Sequence, residues 1–469
     1  MILLINPPFD YGPLKSASSK CPPLGLAYIA SYLEKFGYEV KILDAFACEY
    51  TIKDIKKKIK KESPSIVGVT TVTANFPVAN KILKITKEMD KDIKTILGGP
   101  HITLMPHTAT KDTDYIVIGE GELTTVELVD YLIKGKRKIH KIKGIGYHVN
   151  KKMKLNEPRP LIENLNELPM PAYHLLPIRK YRPYGALDVG RRFISIISSR
   201  GCPFSCTFCA SSVIFGHRWR ALTPEKVIEQ MKALYEEYGI THFYFQDDEF
   251  NINPDRTMKI CNLIKESGMD VIWECLARVD KISNNLIKKM AEAGCKAIIY
   301  GIECGYEEGF KKIRKKVTLQ QAKNAIEITK KNGILARASF IIGFPWEGRE
   351  EIRKTINFAK FLNADITYFN ILTPYPGTEI YDEMKAKGLI VSSDWTRYAS
   401  HGVMPMVRTE KLTQKEIAYW NGRAYLELYF NPKFLIKKFM PFQNFTELKR
   451  SVKAGLGLIN LALKRVSQK

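Results

Sequence analysis

The 469-residue chain has no apolar run of the roughly 18–20 residues needed to span a bilayer, so no transmembrane helix is expected. Its opening residues, MILLINPP, lack the basic segment and small-residue cleavage site of a signal peptide and read as a strand. A cytoplasmic protein is the resulting expectation. Cysteines are few, and Cys21, Cys48, Cys261, Cys275, Cys295 and Cys304 stand singly, as buried small hydrophobes do. Nine in all do not suggest a disulfide framework. Acidic residues are in deficit, 49 against 73 Lys and Arg, for a net charge of +24. That excess suits an anionic partner, or simply a solvated lysine-rich surface such as IKKKIKKE at 55–62. No recognisable RNA-binding module is present, so nucleic acid is not expected as the partner.

What the chain does have is length for two or three domains and a hydrophobic content of 45% to fill their cores. Over residues 1–140, short apolar runs alternate with amphipathic ones. Strands are expected at 2–6, 39–44, 65–70, 94–99 and 114–119, and a helix over 24–37 that stops at Gly37. Strands separated by helices give a doubly wound, flavodoxin-like (Rossmann-like) parallel sheet, whose ligands sit at the carboxyl ends of the strands. That edge carries Pro7 in NPP, Thr70, Thr71 and Thr73 in TTVT, Gly98, Gly99 and His101 in GGPHIT, and Gly119, Glu120 and Gly121 in GEGE. Each alone reads as an ordinary turn, whereas four on one edge favour a large ligand.

Residues 141–190 include LPMPAYHLLPIRKYRPYG, rich in proline and aromatics without a period, and read as a connector. From 191 to 400 the alternation resumes with longer helices, and strands are expected at 193–198, 241–246, 271–276, 296–302, 336–342 and 365–372. One helix is expected to start with Thr223 as N-cap and Pro224 at its first position. Six such units suit a partial (β/α)6 barrel, with its chemistry on the loops after the strands. The tail, 401–469, holds 13 Lys and Arg against 4 Glu and no Asp, and reads as a small helical region. Its aromatic, basic stretches at 425–442 and 455–466 fit either a membrane interface or a capping layer over the barrel.

One loop stands apart. SSRGCPFSCTFCASS at 198–212 places Cys202, Cys206 and Cys209 within eight positions, directly after the first barrel strand. Thiolates ligate zinc or iron–sulfur clusters. Structural zinc generally takes four ligands from paired knuckles, and only one C-x2-C occurs here, although His217 is available as a fourth ligand. A [4Fe–4S] cube held by three cysteines leaves one iron open, which suits a substrate that must bind metal directly.

The C-x3-C-x2-C spacing, with Phe208 just before the last cysteine, resembles the radical S-adenosylmethionine (SAM) superfamily. The resemblance implies that SAM chelates the open iron and is cleaved by one electron to a 5′-deoxyadenosyl radical. It further implies cofactor contacts from Asp247, Asp248 and Glu249 in FQDDEF, from Arg278 to the SAM carboxylate, and from Glu303 to a ribose hydroxyl. The acidic residues also suit helix N-caps. Gly343, in FIIGFPWE, falls where that family lines the adenine. The upstream domain, the connector and CASSVIFGHRWRALTPEKV together resemble the cobalamin-binding radical SAM class, which includes methyltransferases and oxidative cyclases. The D-x-H-x-x-G motif that supplies a histidine to cobalt elsewhere is missing, although His101 and His107 are present.

The class implies methylation of an unactivated carbon, fed by an external donor of the flavodoxin or ferredoxin type. The tail resembles relatives acting on hopanoids, isoprenoid lipids and tetrapyrroles, so a hydrophobic substrate and peripheral membrane contact are expected. Ring closure or carbon–carbon coupling is the alternative, and a non-enzymatic cobalamin sensor a weaker one. Only Cys21 and Cys48 precede the triad, against the second cluster of the methylthiotransferases.

Overall fold

A computed structural model describes residues 1–9, 19–150, 152–184, 187, 189–398, 404–429 and 460–467. They form two compact units. The first holds Met1–Phe9, Lys20–Tyr181 and a later excursion, Val213–Ala221; the second holds Arg182–Ser212 and the described residues from Leu222 onward.

The first unit is built from β1 (Ile2–Asn6), α1 (Leu24–Lys35), β2 (Val40–Asp44), α2 (Ile52–Glu62), β3 (Ile66–Thr70) and α3 (Phe76–Met89). β4 (Lys94–Gly98), α4 (Pro100–Leu104), β5 (Tyr115–Val117) and α5 (Glu122–Lys134) follow, then a hairpin of β6 (Ile145–Val149) and β7 (Lys152–Leu155). The sheet order is β2-β1-β3-β4-β5-β6-β7, parallel through β5 and antiparallel after it. This is the doubly wound order expected, with a hairpin added that the five-strand reading did not include. α1 packs on α5 and α2 on α3. α2 shows how the charge is accommodated: Ile55 and Ile59 are buried while Lys56, Lys57, Lys60 and Lys61 face solvent. Burying each isoleucine contributes about 1.5–3 kcal/mol, and Thr51 with Asp54 forms a capping box at the helix start.

The second unit contains β8 (Phe193–Ile196) and β9 (Ser199–Arg200); α6 (Ser211–Phe215) and β10 (Arg220–Ala221) belong to the stretch that leads into and through the excursion. Then come α7 (Pro224–Tyr238), β11 (His242–Phe245), α8 (Pro254–Glu266), β12 (Ile272–Ala277), α9 (Asn284–Glu292) and β13 (Cys295–Glu303). α10 (Glu307–Lys312), α11 (Leu319–Lys331), β14 (Leu335–Ile342), α12 (Arg349–Leu362), β15 (Ile366–Ile371), α13 (Glu379–Ala386) and α14 (Gln414–Tyr429) complete it. Six strands pair in the order β15-β14-β13-β12-β11-β8, all parallel. α7 begins as its sequence dictates: the Thr223 hydroxyl accepts the Lys226 N–H, Pro224 takes the first turn, and Gly239 ends it at φ +64°.

The sheet leaves β15 as an edge, and an unpaired edge exposes N–H and C=O groups. α14 covers it with side chains one turn apart. The Tyr425 hydroxyl accepts the Phe369 N–H at 3.0 Å and donates to its carbonyl at 3.2 Å. The Tyr429 hydroxyl does the same at Thr367, at 3.0 and 2.9 Å, and the Asn421 amide donates to the Phe369 carbonyl at 2.8 Å. Gly422 lets residues 460–467 cross this helix, since a Cβ there would sit 2.6 Å from the Ala462 carbonyl. For residues 414–429 the tail is therefore a capping layer; 430–442 and 455–459 lie outside the described residues.

Tyr429→Phe removes both partners from Thr367 and should destabilise the protein by about 1–3 kcal/mol. Urea unfolding of the full chain reads this directly, and an unchanged midpoint would show that the edge does not need its hydroxyl cap.

Candidate functional site

In the second unit the cysteine loop leaves β8 and is tied down by carboxylates from the end of β11. Asp247 is buried and accepts three hydrogen bonds, from the Ser198 N–H at 2.7 Å and from the Ser198 and Ser199 hydroxyls at 2.6 Å each. Asp248 accepts the Gly201 N–H at 3.0 Å, where Gly201 adopts φ +81° just before Cys202. The Cys209 N–H closes a turn onto the Cys206 carbonyl at 3.1 Å, and Thr207 is held from both sides, by Ile313 at 3.2 Å and Ile380 at 3.1 Å. Burial pushes the thiols up, Cys202 to about 12 and Cys209 to about 11, with Cys206 also raised. Such thiols ionise only when a strong cation replaces the proton.

Among the described residues, no three His, Cys, Asp or Glu side chains converge as the ligand set of one metal ion. His217 belongs to the excursion of the first unit. A cluster of several irons spans more widely spaced thiols than a single zinc ion does.

Around this loop lies a ring of buried charge. Glu249 has a carboxylate oxygen, Oε2, with no partner, and burial raises its carboxyl to about 7. Arg278 stacks 3.5 Å over the Phe204 ring, donates Nε to Asp280 at 2.8 Å and Nη2 to the Lys315 carbonyl at 3.1 Å. Asn251 joins the loops after β11 and β12, donating to the Arg278 and Lys281 carbonyls and accepting the Arg278 N–H. Glu303 sits at a bulge ending β13 in the left-handed region, φ +70°, and accepts from Lys315 at 3.1 Å. Strain of this kind in a non-glycine residue costs about 1–3 kcal/mol and collects at functional sites.

The loop after β14 is fixed by Glu347, fully buried and raised to about 7. It accepts the N–H groups of Gly343 at 2.7 Å and Phe344 at 3.1 Å and the Tyr306 hydroxyl at 3.0 Å. Gly343 has φ +103°, which only glycine adopts without strain. Phe208 meets Phe344 edge-on at 6.0 Å, and Phe344 stacks on Trp346 at 5.2 Å. The structure thus brings Phe208, Asp247, Asp248, Glu249, Arg278, Glu303 and Gly343 onto linked loops at the carboxyl ends of the strands. The composition of these loops did not single out Lys315, Asn251 or Tyr306.

The first unit collects its glycines and threonines at one edge of the sheet, with a different division of labour. Thr71 bonds Val72 and Asn75, and Thr73 faces His101. His101 is fully buried, with Nδ1 3.3 Å from Thr73 and Nε2 3.2 Å from Thr108, and its ring lies tilted against Phe76 with centroids 4.1 Å apart. Both ring nitrogens are engaged, so His101 is not placed to ligate a metal, and His107 is exposed. Glu120 is likewise spent: it accepts the Ile162 N–H at 2.7 Å and a buried ion pair from Arg220 at 2.8 Å. Pro7 and Gly121 are buried, and a Cβ on Gly121 would press 2.9 Å from Ile29. Gly99, at φ +102°, lies against Thr70 and Thr71 too closely for a Cβ. What remains open is Thr70, Gly98, Gly99, the unobstructed Gly119 at φ +77°, and Val72, which is 45% exposed. That surface, apolar and largely backbone, fits a broad flat ligand.

The Radical SAM superfamily model matches residues 196–359, and the B12 binding domain model matches residues 13–129. An uncharacterized methyltransferase of Pyrococcus horikoshii is 40% identical over 459 residues, 97% of this chain and 98% of that one. The chain belongs to the cobalamin-binding radical SAM family. The anaerobic magnesium-protoporphyrin IX monomethyl ester cyclase of Rubrivivax gelatinosus is 29% identical, over 92% of this chain and 78% of the cyclase. The solved structure of the cobalamin-dependent S-adenosylmethionine radical enzyme OxsB with aqua-cobalamin bound shares the fold, with a TM-score of 0.72 at 19% identity, over 97% of this chain and 72% of that one.

This radical SAM enzyme uses a [4Fe–4S] cluster, SAM and cobalamin. Its residues fit them. The three cysteines offer the thiolates that a cluster requires, and the buried, unpartnered Glu249 oxygen is an acceptor suited to an ammonium group.

Burial without charge lowers the His101 pKa to about 4 from an unfolded value near 6.5. The unfolded chain then binds more protons between these values, so stability is complete above pH 6.5 and falls as pH drops towards 4. A loss of up to about 2 kcal/mol is expected at pH 5 relative to pH 7. Thermal unfolding of the full chain should show this, with a smaller difference in His101→Asn; equal differences would remove His101 as the cause.

Proposed function

We propose that the enzyme methylates an unactivated carbon of a hydrophobic substrate, lipid-like or tetrapyrrole. The observation that carries the radical step is the cysteine triad backed by the Glu249 carboxylate, whose Oε2 is buried and unpartnered. Methyl transfer is supported by the methyltransferase of P. horikoshii, and the tetrapyrrole class by the cyclase of R. gelatinosus.

When bound, the cluster and SAM supply a carbon-centred radical, and cobalamin supplies a carrier for the methyl group. The protein's own residues do the rest. Cys202, Cys206 and Cys209 would supply the cluster's three protein thiolates. Glu249 would accept the SAM ammonium, which would give its free oxygen the partner it lacks. Arg278, already committed to Asp280 and the Lys315 carbonyl, would offer its remaining donors to the SAM carboxylate. Glu303 is available to a ribose hydroxyl, and the Gly343–Phe344 backbone, held by Glu347, gives the adenine a rigid wall. In the first unit Gly98, Gly99, Gly119, Thr70 and Val72 would hold the corrin, while His101 stays bonded to Thr73 and Thr108. An external one-electron donor of the flavodoxin or ferredoxin type would be required to reduce the cluster.

Ring closure without methyl transfer is the second reading, favoured by the match to the cyclase over most of both chains. Anaerobic reconstitution with iron, sulfide, reductant, hydroxocobalamin and methyl-deuterated SAM tests both. The expected result is 5′-deoxyadenosine at least tenfold above a Cys202→Ala control, and deuterium in an extracted lipid or tetrapyrrole. No excess over the control sinks the radical reading. Radical formation with a ring-closed, unlabelled product transfers the assignment to the cyclase class.

A further inference from the structure

The run KKIRKK, residues 311–316, carries five basic side chains, of which four are exposed and Lys315 alone is buried, at 5% exposure. The main chain accepts strain to turn it inward. Arg314 and Lys316, on either side, hold φ +53° and +54°, and Glu303, its ion-pair partner, holds φ +70°. Seven non-glycine residues have such angles among the described residues, and three of them frame this one contact. Space is cleared as well: a Cβ on Gly301 would lie 2.4 Å from Glu303 Oε1 and 3.2 Å from Lys315 Nζ.

The same segment grips the cysteine loop. Ile313 accepts the N–H of Thr207, the residue after Cys206, and the Lys315 carbonyl accepts from Arg278. Arg278 in turn lies 3.5 Å over the ring of Phe204, within the cysteine loop, so the buried ammonium belongs to the framework that holds the triad. A surface lysine needs none of this, and a purely structural ion pair does not need strained backbone on both sides.

We propose that Lys315 is a positioning residue for electron entry, its buried ammonium setting the reduction potential of the cluster on Cys202, Cys206 and Cys209. The proposal rests on the reading of that triad as a cluster site. Adding one electron from the external donor increases the cluster's negative charge by one. A fixed cation in a poorly screened site favours that state and raises the potential, and Glu303 offsets part of its field.

The test is a redox titration of the anaerobically reconstituted full-length enzyme, followed by electron paramagnetic resonance. Lys315→Met should keep the iron and sulfide content and move the midpoint to more negative potential. Glu303→Gln, which leaves the ammonium less compensated, should move it the other way. Lys315→Arg and the exposed Lys311→Met should stay near wild type. An unmoved midpoint in Lys315→Met, or an equal shift in Lys311→Met, overturns the proposal. Should Lys315→Met fail to assemble a cluster, an unmoved or more negative midpoint in Glu303→Gln overturns it instead. A wild-type chain that assembles no cluster would fail the triad reading itself, a distinguishable outcome.

Discussion

The Asp247 carboxylate is cut off from water and accepts three hydrogen bonds from Ser198 and Ser199, at the turn that leads from the sheet into the cysteine loop. A buried carboxylate is costly unless its lone pairs are filled, and here short donors on one neighbouring strand end fill them. This makes the geometry of the loop a consequence of the sheet: β8 and β11 are adjacent and in parallel register, so Asp247 arrives beside Ser198. Asp248 then fixes Gly201, and the three thiols inherit a position. The DDE run therefore divides into two residues that hold the loop and one, Glu249, that is left with a free oxygen.

The same economy governs the rest of the second unit. Glu347 uses its carboxylate to hold the backbone of the loop after β14, and Asn251 cross-links two strand ends. Tyr425 and Tyr429 do for the edge of β15 what a neighbouring strand would do. In each case a polar side chain completes main-chain groups that an open sheet leaves unsatisfied. Polar groups without such duties, the Glu249 oxygen and the Lys315 ammonium, gather at the cysteines, where charge is to be placed and moved.

The first unit makes the converse point. Its edge motifs look alike in sequence, yet Thr71, Thr73, His101 and Glu120 are turned into the protein, where they bond one another, Asn75, Thr108, Arg220 and the chain at Ile162. Thr70, the glycines and Val72 are what remain open. A large apolar ligand is served better by bare backbone than by histidine or carboxylate, which would have to be desolvated to meet it.

Much of this architecture was legible beforehand because it depends on local period. Alternating apolar strands and amphipathic helices specify a parallel sheet, and Thr223, Pro224 and Gly239 mark a helix by backbone chemistry alone. The triad was legible for the same reason: all three ligands lie within eight residues, so their spacing is a property of the loop. The hairpin β6–β7 was missed because β7 is largely exposed and lysine-rich, and β6, although buried over Ile145–Tyr147, has glycine and histidine where an apolar run would announce it. The residues that tune the site were hidden because burial is not local. Nothing within KKIRKK distinguishes Lys315 from its neighbours, and only the meeting of β13 with the turn after α10 buries one of five like charges. By itself the sequence determined which groups are available and where chemistry begins; tertiary structure decided which stay free, because a side chain's partners come from strands far away in the chain.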